Sequence, residues 1–428
     1  MNYREQSKES LRAEYERLLQ IYEDYRARGL SLDLSRGKPS PEQLDEVTAA
    51  LQAHGHISHL SADGVDCRNY GHPLGLPEMR AFWAELTGLP AENIVIGGNS
   101  SLQLMYDTVA RAMLFGVADS VRPWCREKKI KFICLTPGYD RHFAICDAFG
   151  IEMISLPLLA DGPDMDAVEA LVAQDGDIRG MWCVPKYSNP SGITYSDEAV
   201  RRLARMRTAA PDFRIFWDNA YIVHDLTEEG DSLLDIYAEA CAAGNENRVF
   251  YFSSTSKITF PGSGVAMMAM SHENLVCALP LWQTQTIGYD KINQLRHLAL
   301  LPDAKAVKEM MQRHASHLRP RFAMVEQALA QALADTGIAE WTRPRGGYFV
   351  TLSVMEGTAR RVYKLCRAAG VVLTAAGATH PYGADPENKT LRIAPAYPSL
   401  DELSVALSVL TVAVRIAALE RILGDSLA

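Results

Sequence analysis

Between residues 93 and 270, short β-rich runs alternate with helical patterns, and no other feature limits the fold of this 428-residue chain as strongly. The runs are NIVI (93–96), KFICL (131–135), IEMISLPL (151–158), RGMWCV (179–184), FRIFW (213–217), RVFYFSS (248–254) and GVAMMAM (264–270). Helical spacing fills most of the gaps, at 102–115, 142–149, 165–173 and 197–208. Such alternation predicts an α/β fold, a mostly parallel seven-stranded sheet sandwiched by helices. In sheets of this kind ligands sit at the carboxyl ends of the strands. The polar residues that follow each run are therefore the ones to weigh.

The flanks read differently. Residues 8–28 form an amphipathic pattern through Leu11, Tyr15, Leu18, Leu19 and Tyr22, with Gly29 as a stop. A turn-rich loop covers 31–41, and a helix opens at Pro77 and runs to about 86. Beyond 270, helices are expected over 290–336, 357–369 and 400–423, with strands at 344–354, 370–374 and 391–396. This is a second, smaller α+β unit, to which the N-terminal helix returns. The expected division is 1–48, 49–300 and 301–428.

Composition removes several function classes. A formal charge of -9, from 43 basic and 52 acidic side chains without a long basic block, argues against nucleic acid as a partner. The eight cysteines lack the close pairing of a zinc site, and no metal is expected. The first residues are charged throughout, without the apolar core of a signal peptide. Leu403 to Val414 offers 12 uncharged residues before Arg415, too few to span a bilayer. A soluble cytoplasmic protein, not a membrane protein, is the expectation.

Three strand ends carry the chemistry. Lys257 follows FYFSS in a segment rich in small hydroxyl residues and precedes Gly262 and Gly264. A lysine there is either an ordinary solvated surface residue or an amine nucleophile desolvated beside an oxyanion site. Asp218 ends the FRIFW run, as a helix cap or as the carboxylate partner of a cationic ring nitrogen, with Tyr221 three residues on. Asn189 lies in SNPSG, a turn signal that also places an amide at a strand end. The intervals from Asn189 to Asp218 and from Asp218 to Lys257, 29 and 39 residues, each suit one strand–helix–strand step. All three side chains are thus expected on one edge of the sheet.

Two further segments fit the same edge. IVIGGNSSLQL (94–104) reads as strand, glycine turn and helix start, where Gly98, Asn99, Ser100 and Ser101 could cradle an anion. The glycines are followed by neither a Lys-Ser/Thr pair nor a GxGxxG pattern, against a nucleotide P-loop and a dinucleotide fold. After KFICL, Tyr139 could stack on a flat ligand and His142 could orient Asp218.

In sequence order from about 31 to 397, these segments resemble the fold-type I pyridoxal-phosphate (PLP) aminotransferases, the aspartate aminotransferase-like superfamily. NYGHPLGLPEMR (69–80), GGNSSLQL, SNPSG, DNAY, SSTSK and RIAPA carry the likeness. The resemblance implies pyridoxal 5'-phosphate as cofactor and a homodimer with composite sites. It implies that Lys257 holds the cofactor as a Schiff base and later shuttles a proton, while Asp218 pairs with the ring nitrogen. Asn189 and Tyr221 would bond the ring oxygen, and Tyr139 would stack on the ring, backed by His142. Gly98, Asn99, Ser100 and Ser254 would hold the phosphate, with Tyr70 arriving from the partner subunit. Arg392 would bind the substrate α-carboxylate as a bidentate fork, and Gly37 would approach the substrate through its backbone.

One position departs from the family. Most relatives carry a phosphate-binding arginine eight residues after the lysine, where this chain has Val265. KITFPGSGVA, SRGKP (35–39) and VPKYSNPSG are similar to an atypical bacterial branch that includes aspartate aminotransferases. That likeness implies ping-pong transfer from aspartate to 2-oxoglutarate. A distal carboxylate would need its own cation, with Arg36 and Lys38 favoured over Arg141, Lys186 and Lys291. The alternatives are an aminotransferase of aromatic, aminoadipate or alanine specificity, or a PLP-dependent lyase or decarboxylase on the same fold. A ligand-sensing regulator is disfavoured, because no helix-turn-helix pair fits before residue 31.

Overall fold

The structure, a computed structural model, describes residues 2–55 and 57–424. The expected unit limits at residues 1 and 428 lie outside the described residues. All seven apolar runs become strands of one sheet, in the order Ile94–Ile96, Ala266–Ala269, Val249–Ser254, Arg214–Asp218, Ile178–Cys183, Lys131–Thr136 and Glu152–Leu159. The last five pair in parallel, and Ala266–Ala269 runs antiparallel to both neighbours. An eighth strand, Gly162–Pro163, folds back on Leu158 and Leu159 at the edge. Two residues carry no periodicity, so this hairpin left no signal in the sequence.

Successive side chains of a strand point to opposite faces, and both faces here are covered. Ile133, Leu135, Ile215 and Trp217 enter one apolar cluster, while Phe132, Cys134 and Phe216 enter another on the far side. Full burial of each of the Ile, Leu and Phe side chains contributes roughly 1.5–3 kcal/mol. The chain order reverses between Lys131–Thr136 and Ile178–Cys183. A crevice opens at such a reversal.

A second layer holds a three-stranded antiparallel sheet of Ala339–Trp341, Val350–Val354 and Thr390–Ile393. Its apolar cluster takes Leu11, Leu18 and Tyr22 from the helix Lys8–Ala27, together with the long helix Leu400–Leu423. Leu32–Asp33 pairs in parallel with Val371–Val372, which ties the N-terminal segment to this layer. The helix Ala304–Leu333 bridges the layers, with Val307 and Met310 in the first core and Val325 and Leu329 in the second.

Several local expectations need correcting. The helix expected over 197–208 is Asp197–Arg205, because Ala209 N–H turns away to bond Val172 O at 2.7 Å. Only Val350–Val354 of the 344–354 run is strand. Gly346 and Gly347 pass directly against Tyr187, Gly347 with φ +78, which ladder pairing does not allow. The helix Pro41–Ala53 was not anticipated, although Ser40 and Gln43 form a capping box around Pro41. Nor were Ile236–Ala242 and His272–Gln285. The last helix is 24 residues long and apolar enough to cross a membrane by length and composition, so the argument from a short uncharged stretch does not hold. Its burial accounts for the composition, since 72% of the apolar window lies inside the protein.

Candidate active site

Four neighbouring parallel strands deliver Lys257, Asp218, Asn189 and Tyr139 to one cavity of about 370 Å³. Asp218 is the last residue of its strand, and Lys257, Tyr139 and Asn189 lie a few residues past the carboxyl ends of theirs, where the chain turns. Gly37, Ser100, Tyr221, Ser254 and Arg392 line the same space. The expected edge is therefore one physical site.

Lys257 closes a one-turn 3-10 helix, Thr255–Lys257, directly after the strand Val249–Ser254. Its Nζ lies 4.8 Å from the centroid of the Tyr221 ring. Desolvation lowers the lysine pKa from its ordinary value, and the opposing pull of Asp218 is the smaller effect. The phenol of Tyr221 moves the other way, well above its usual value, because it is buried and faces Tyr139 and Asp218. Burial likewise pushes Tyr139 up to about 12, with Asp218 adding to the effect.

Asp218 is 3% exposed. His142 Nε2 meets its Oδ2 at 3.0 Å, while Oδ1 has no hydrogen-bond partner among the described residues. A buried carboxylate oxygen without a partner is costly, so the atom is suited to a donor that a ligand brings. His142 itself is clamped, stacked on Trp182 with centroids 4.4 Å apart and planes 11° from parallel. Tyr139 meets its edge at 5.0 Å.

Arg392 comes from the other sheet, on the strand Thr390–Ile393. Thr374 Oγ1 accepts from its Nε at 3.1 Å and from Nη2 at 2.8 Å, and Asn189 Oδ1 accepts from Nη1 at 3.2 Å. Asp140 stands 3.5 Å from Nη1. The guanidinium carbon lies over the Phe349 ring, 4.7 Å from its centroid.

Other residues proposed from the sequence lie elsewhere. Tyr70 is 76% exposed and does not line the cavity of its own protomer. Gly98 and Asn99 do not line the cavity, and Asn99 Nδ2 is spent on Gly262 O at 3.2 Å, which straps the turn to the lysine loop. Arg36 pairs with Asp33 at 2.6 Å and does not reach the cavity, whereas Lys38 and Arg141 do. Lys186 is occupied by Ile222 O at 3.0 Å and Asp225 at 2.9 Å. Neither it nor Lys291 lines the cavity. Val265 is 2% exposed and joins the apolar core, so that position offers no group to the site. Its N–H donates to Thr255 Oγ1 at 2.8 Å. Ser256 also lines the cavity, in the same hydroxyl-rich run as Ser254. Thr374, Phe349 and Trp182 carry no signal in the sequence, because their roles arise only from packing between distant segments.

The model of the family described as aspartate amino-transferase matches residues 6–426. An aspartate aminotransferase of Corynebacterium glutamicum is 46% identical over 406 residues, covering 95% of this chain and 94% of that protein. A crystal structure of an aspartate transaminase from Corynebacterium glutamicum superposes with a TM-score of 0.95 at 45% identity, over 98% of this chain and 99% of that one. The α-aminoadipate aminotransferase LysN of Thermus thermophilus shares the fold, with a TM-score of 0.73 at 21% identity over 93% and 95% of the two chains. On a family match that spans both layers and every strand end described above, the chain belongs to the aspartate amino-transferase family and is a transaminase.

Proposed function

We propose that this transaminase uses pyridoxal 5'-phosphate to move an amino group from L-aspartate to 2-oxoglutarate by a ping-pong route. One observation carries the cofactor assignment: a desolvated lysine amine and an unpartnered buried carboxylate oxygen, Lys257 and Asp218 Oδ1, in the same cavity. The residues fit the group. Asp218 Oδ1 would accept from a ring N–H, and His142 holds the carboxylate from its other oxygen. Because Asn189 Oδ1 already accepts from Arg392, its Nδ2 is left to donate to the ring oxygen alongside Tyr221. Ser100, Ser254 and Ser256, with the N-terminus of the helix Ser101–Phe115, would hold the phosphate. The hydroxyls of Ser254 and Ser256, which donate to Ser256 Oγ and to Asn99 O at 3.1 Å each, would turn to the phosphate in place of an arginine at Val265.

When bound, the cofactor supplies a carbonyl for amine exchange and a cationic ring that draws electrons from the substrate Cα. The chain does the rest. Arg392 grips the α-carboxylate, with Thr374 and Asn189 setting the plane of the fork. Lys257 Nζ, favoured in its neutral form by desolvation, would move the proton between the substrate Cα and the cofactor carbon that carries the amine. Asp218 would keep the ring nitrogen protonated. For a dicarboxylate donor the second charge must be paired, and Lys38 and Arg141 are the cavity cations left after Lys257 and Arg392. Lys38 therefore stays in the proposal, joined by Arg141, and Arg36 leaves it.

The same proposal includes a cytoplasmic homodimer in which Tyr70 serves the neighbouring site, and a division of the chain near residues 48 and 300. Support for aspartate comes from the full-length likeness to the Corynebacterium glutamicum enzyme. The test is a screen of amino donors against the holoenzyme, read as loss of the cofactor's visible band, with 2-oxoglutarate restoring it. Aspartate should give the highest kcat/KM. A preference for alanine or an aromatic donor refutes the substrate assignment. Ammonia release without conversion of the cofactor to its amine form means lyase chemistry instead.

A further inference from the structure

We propose that Phe349 is a positioning residue that couples the 35–39 loop to Arg392, holding the guanidinium aimed at the α-carboxylate for as long as Gly37 abuts its ring. The proposal rests on the assignment of Arg392 made above. Phe349 is 5% exposed and lines the cavity. The guanidinium carbon of Arg392 lies over the ring, 4.7 Å from its centroid. Gly37 lies against the tip of the ring. A methyl group built there would overlap Cζ, Cε1 and Cε2 of the ring. Gly37 does not occupy the left-handed region, so its backbone would accept any residue. Glycine is required there only for room, and the neighbour that takes up the room is Phe349.

The loop and the arginine strand are also tied together by backbone bonds. Leu34 N–H bonds Val372 O at 2.9 Å, and Ala394 N–H bonds Leu34 O at 3.0 Å, two residues past Arg392 on its own strand end. The base of the loop is thus registered to the segment that carries the arginine, and the ring packs against both. The edges of the guanidinium are held by Thr374 and Asn189. Those bonds set the plane of the fork, and the ring packed against it resists movement out of that plane. Pushing the ring from the Gly37 side would tilt the fork against those edge contacts. A bidentate carboxylate contact depends on a planar match, so a tilt weakens every substrate that carries an α-carboxylate.

The coupling is tested in the holoenzyme with Gly37→Ala, Phe349→Leu, their double variant and Phe349→Tyr. Gly37→Ala should raise KM for amino donors and 2-oxo acids alike by about tenfold, with kcat within about threefold. In the Phe349→Leu background the same change should cost less than about twofold, because the obstructing ring is gone. Phe349→Tyr adds a hydroxyl at Cζ, the ring atom nearest Gly37, and should behave like Gly37→Ala. It also supplies the same readout if Phe349→Leu folds poorly. Equal KM costs of Gly37→Ala in both backgrounds, losses confined to kcat, or a wild-type Phe349→Tyr would each overturn the coupling. Arg392→Lys separates the two levels. If it leaves KM for alanine and pyruvate unchanged, the Arg392 assignment falls and the coupling with it. If it raises KM strongly while the Gly37 and Phe349 effects add independently, the coupling alone falls.

Discussion

Asp218→Asn keeps the size of the side chain and removes its charge. Asp218 is 3% exposed, with Oδ2 on His142 at 3.0 Å and Oδ1 unpartnered. A carboxylate about 2.8 Å from a ring N–H, a usual charge-assisted distance, contributes roughly 6 kcal/mol at an effective dielectric of about 20. At 1.36 kcal/mol per pKa unit, that is about four units on the ring nitrogen. The sign follows from the charge: an anion raises the pKa of the cationic ring, and its loss lowers it. At neutral pH the protonated fraction should then fall by up to about 10⁴, and kcat by about 10³ to 10⁴. Cofactor retention should change far less, since the serines, Tyr221 and Lys257 remain. The interaction matters most in the transition state, where it lowers kcat more than it weakens binding. The assay is the rate of cofactor conversion by aspartate in a rapid-mixing experiment, with bound cofactor quantified in the same sample. A variant that keeps its cofactor and loses less than about tenfold in kcat would refute the electrostatic role and leave Asp218 a structural residue.

Further outcomes are expected. Borohydride reduction should leave the pyridoxyl group on the Lys257 peptide, and Lys257→Ala should lose turnover; a label on Lys186 or Lys38 contradicts this. Tyr70→Ala, exposed in its own protomer, should be inactive alone yet complement Lys257→Ala. Random mixing into dimers would rebuild about a quarter of the sites, whereas a fully active monomer in sedimentation rules the arrangement out. Lys38→Met or Arg141→Met should narrow the kcat/KM preference for aspartate over alanine by tens- to thousands-fold, from roughly 2–5 kcal/mol for a desolvated pair. Arg36→Met should leave that preference intact, given its pairing with Asp33. Burial holds His224 down to about 3 and His314 down to about 4. The unfolded chain therefore takes up protons that the native state refuses, and stability should fall as pH drops through about 6.5 toward those values. Urea midpoints at pH 7 and pH 5 should show the loss, and His224→Gln with His314→Gln should shrink it; an unchanged difference removes these residues as its cause.

Much of the site could be read from the chain because its parts are local. Asn189, Asp218 and Lys257 each lie within a few residues of the end of a run whose composition marks a strand, and covalent geometry keeps them near that strand end. The resemblance in sequence order then implied what each would do. Residues assigned by proximity in sequence fared less evenly. Arg36 and Lys38 are two residues apart in one loop, yet only Lys38 reaches the cavity. Asn99 was grouped with Ser100, yet its amide turns to Gly262.

The sequence alone determined the alternation of strands and helices, the return of the N-terminal helix to a second layer, and the residues at the strand ends. These follow from periodicity and turn chemistry within a few residues. Tertiary structure alone decided that Val265 faces the core, that Trp182 clamps His142, and that Phe349 packs against both Gly37 and Arg392. Periodicity shows which residues share a face of their own element. It does not say which foreign element covers that face, and Arg392 meets Asn189 across 203 residues of chain. Contacts of that kind depend on packing the whole chain at once.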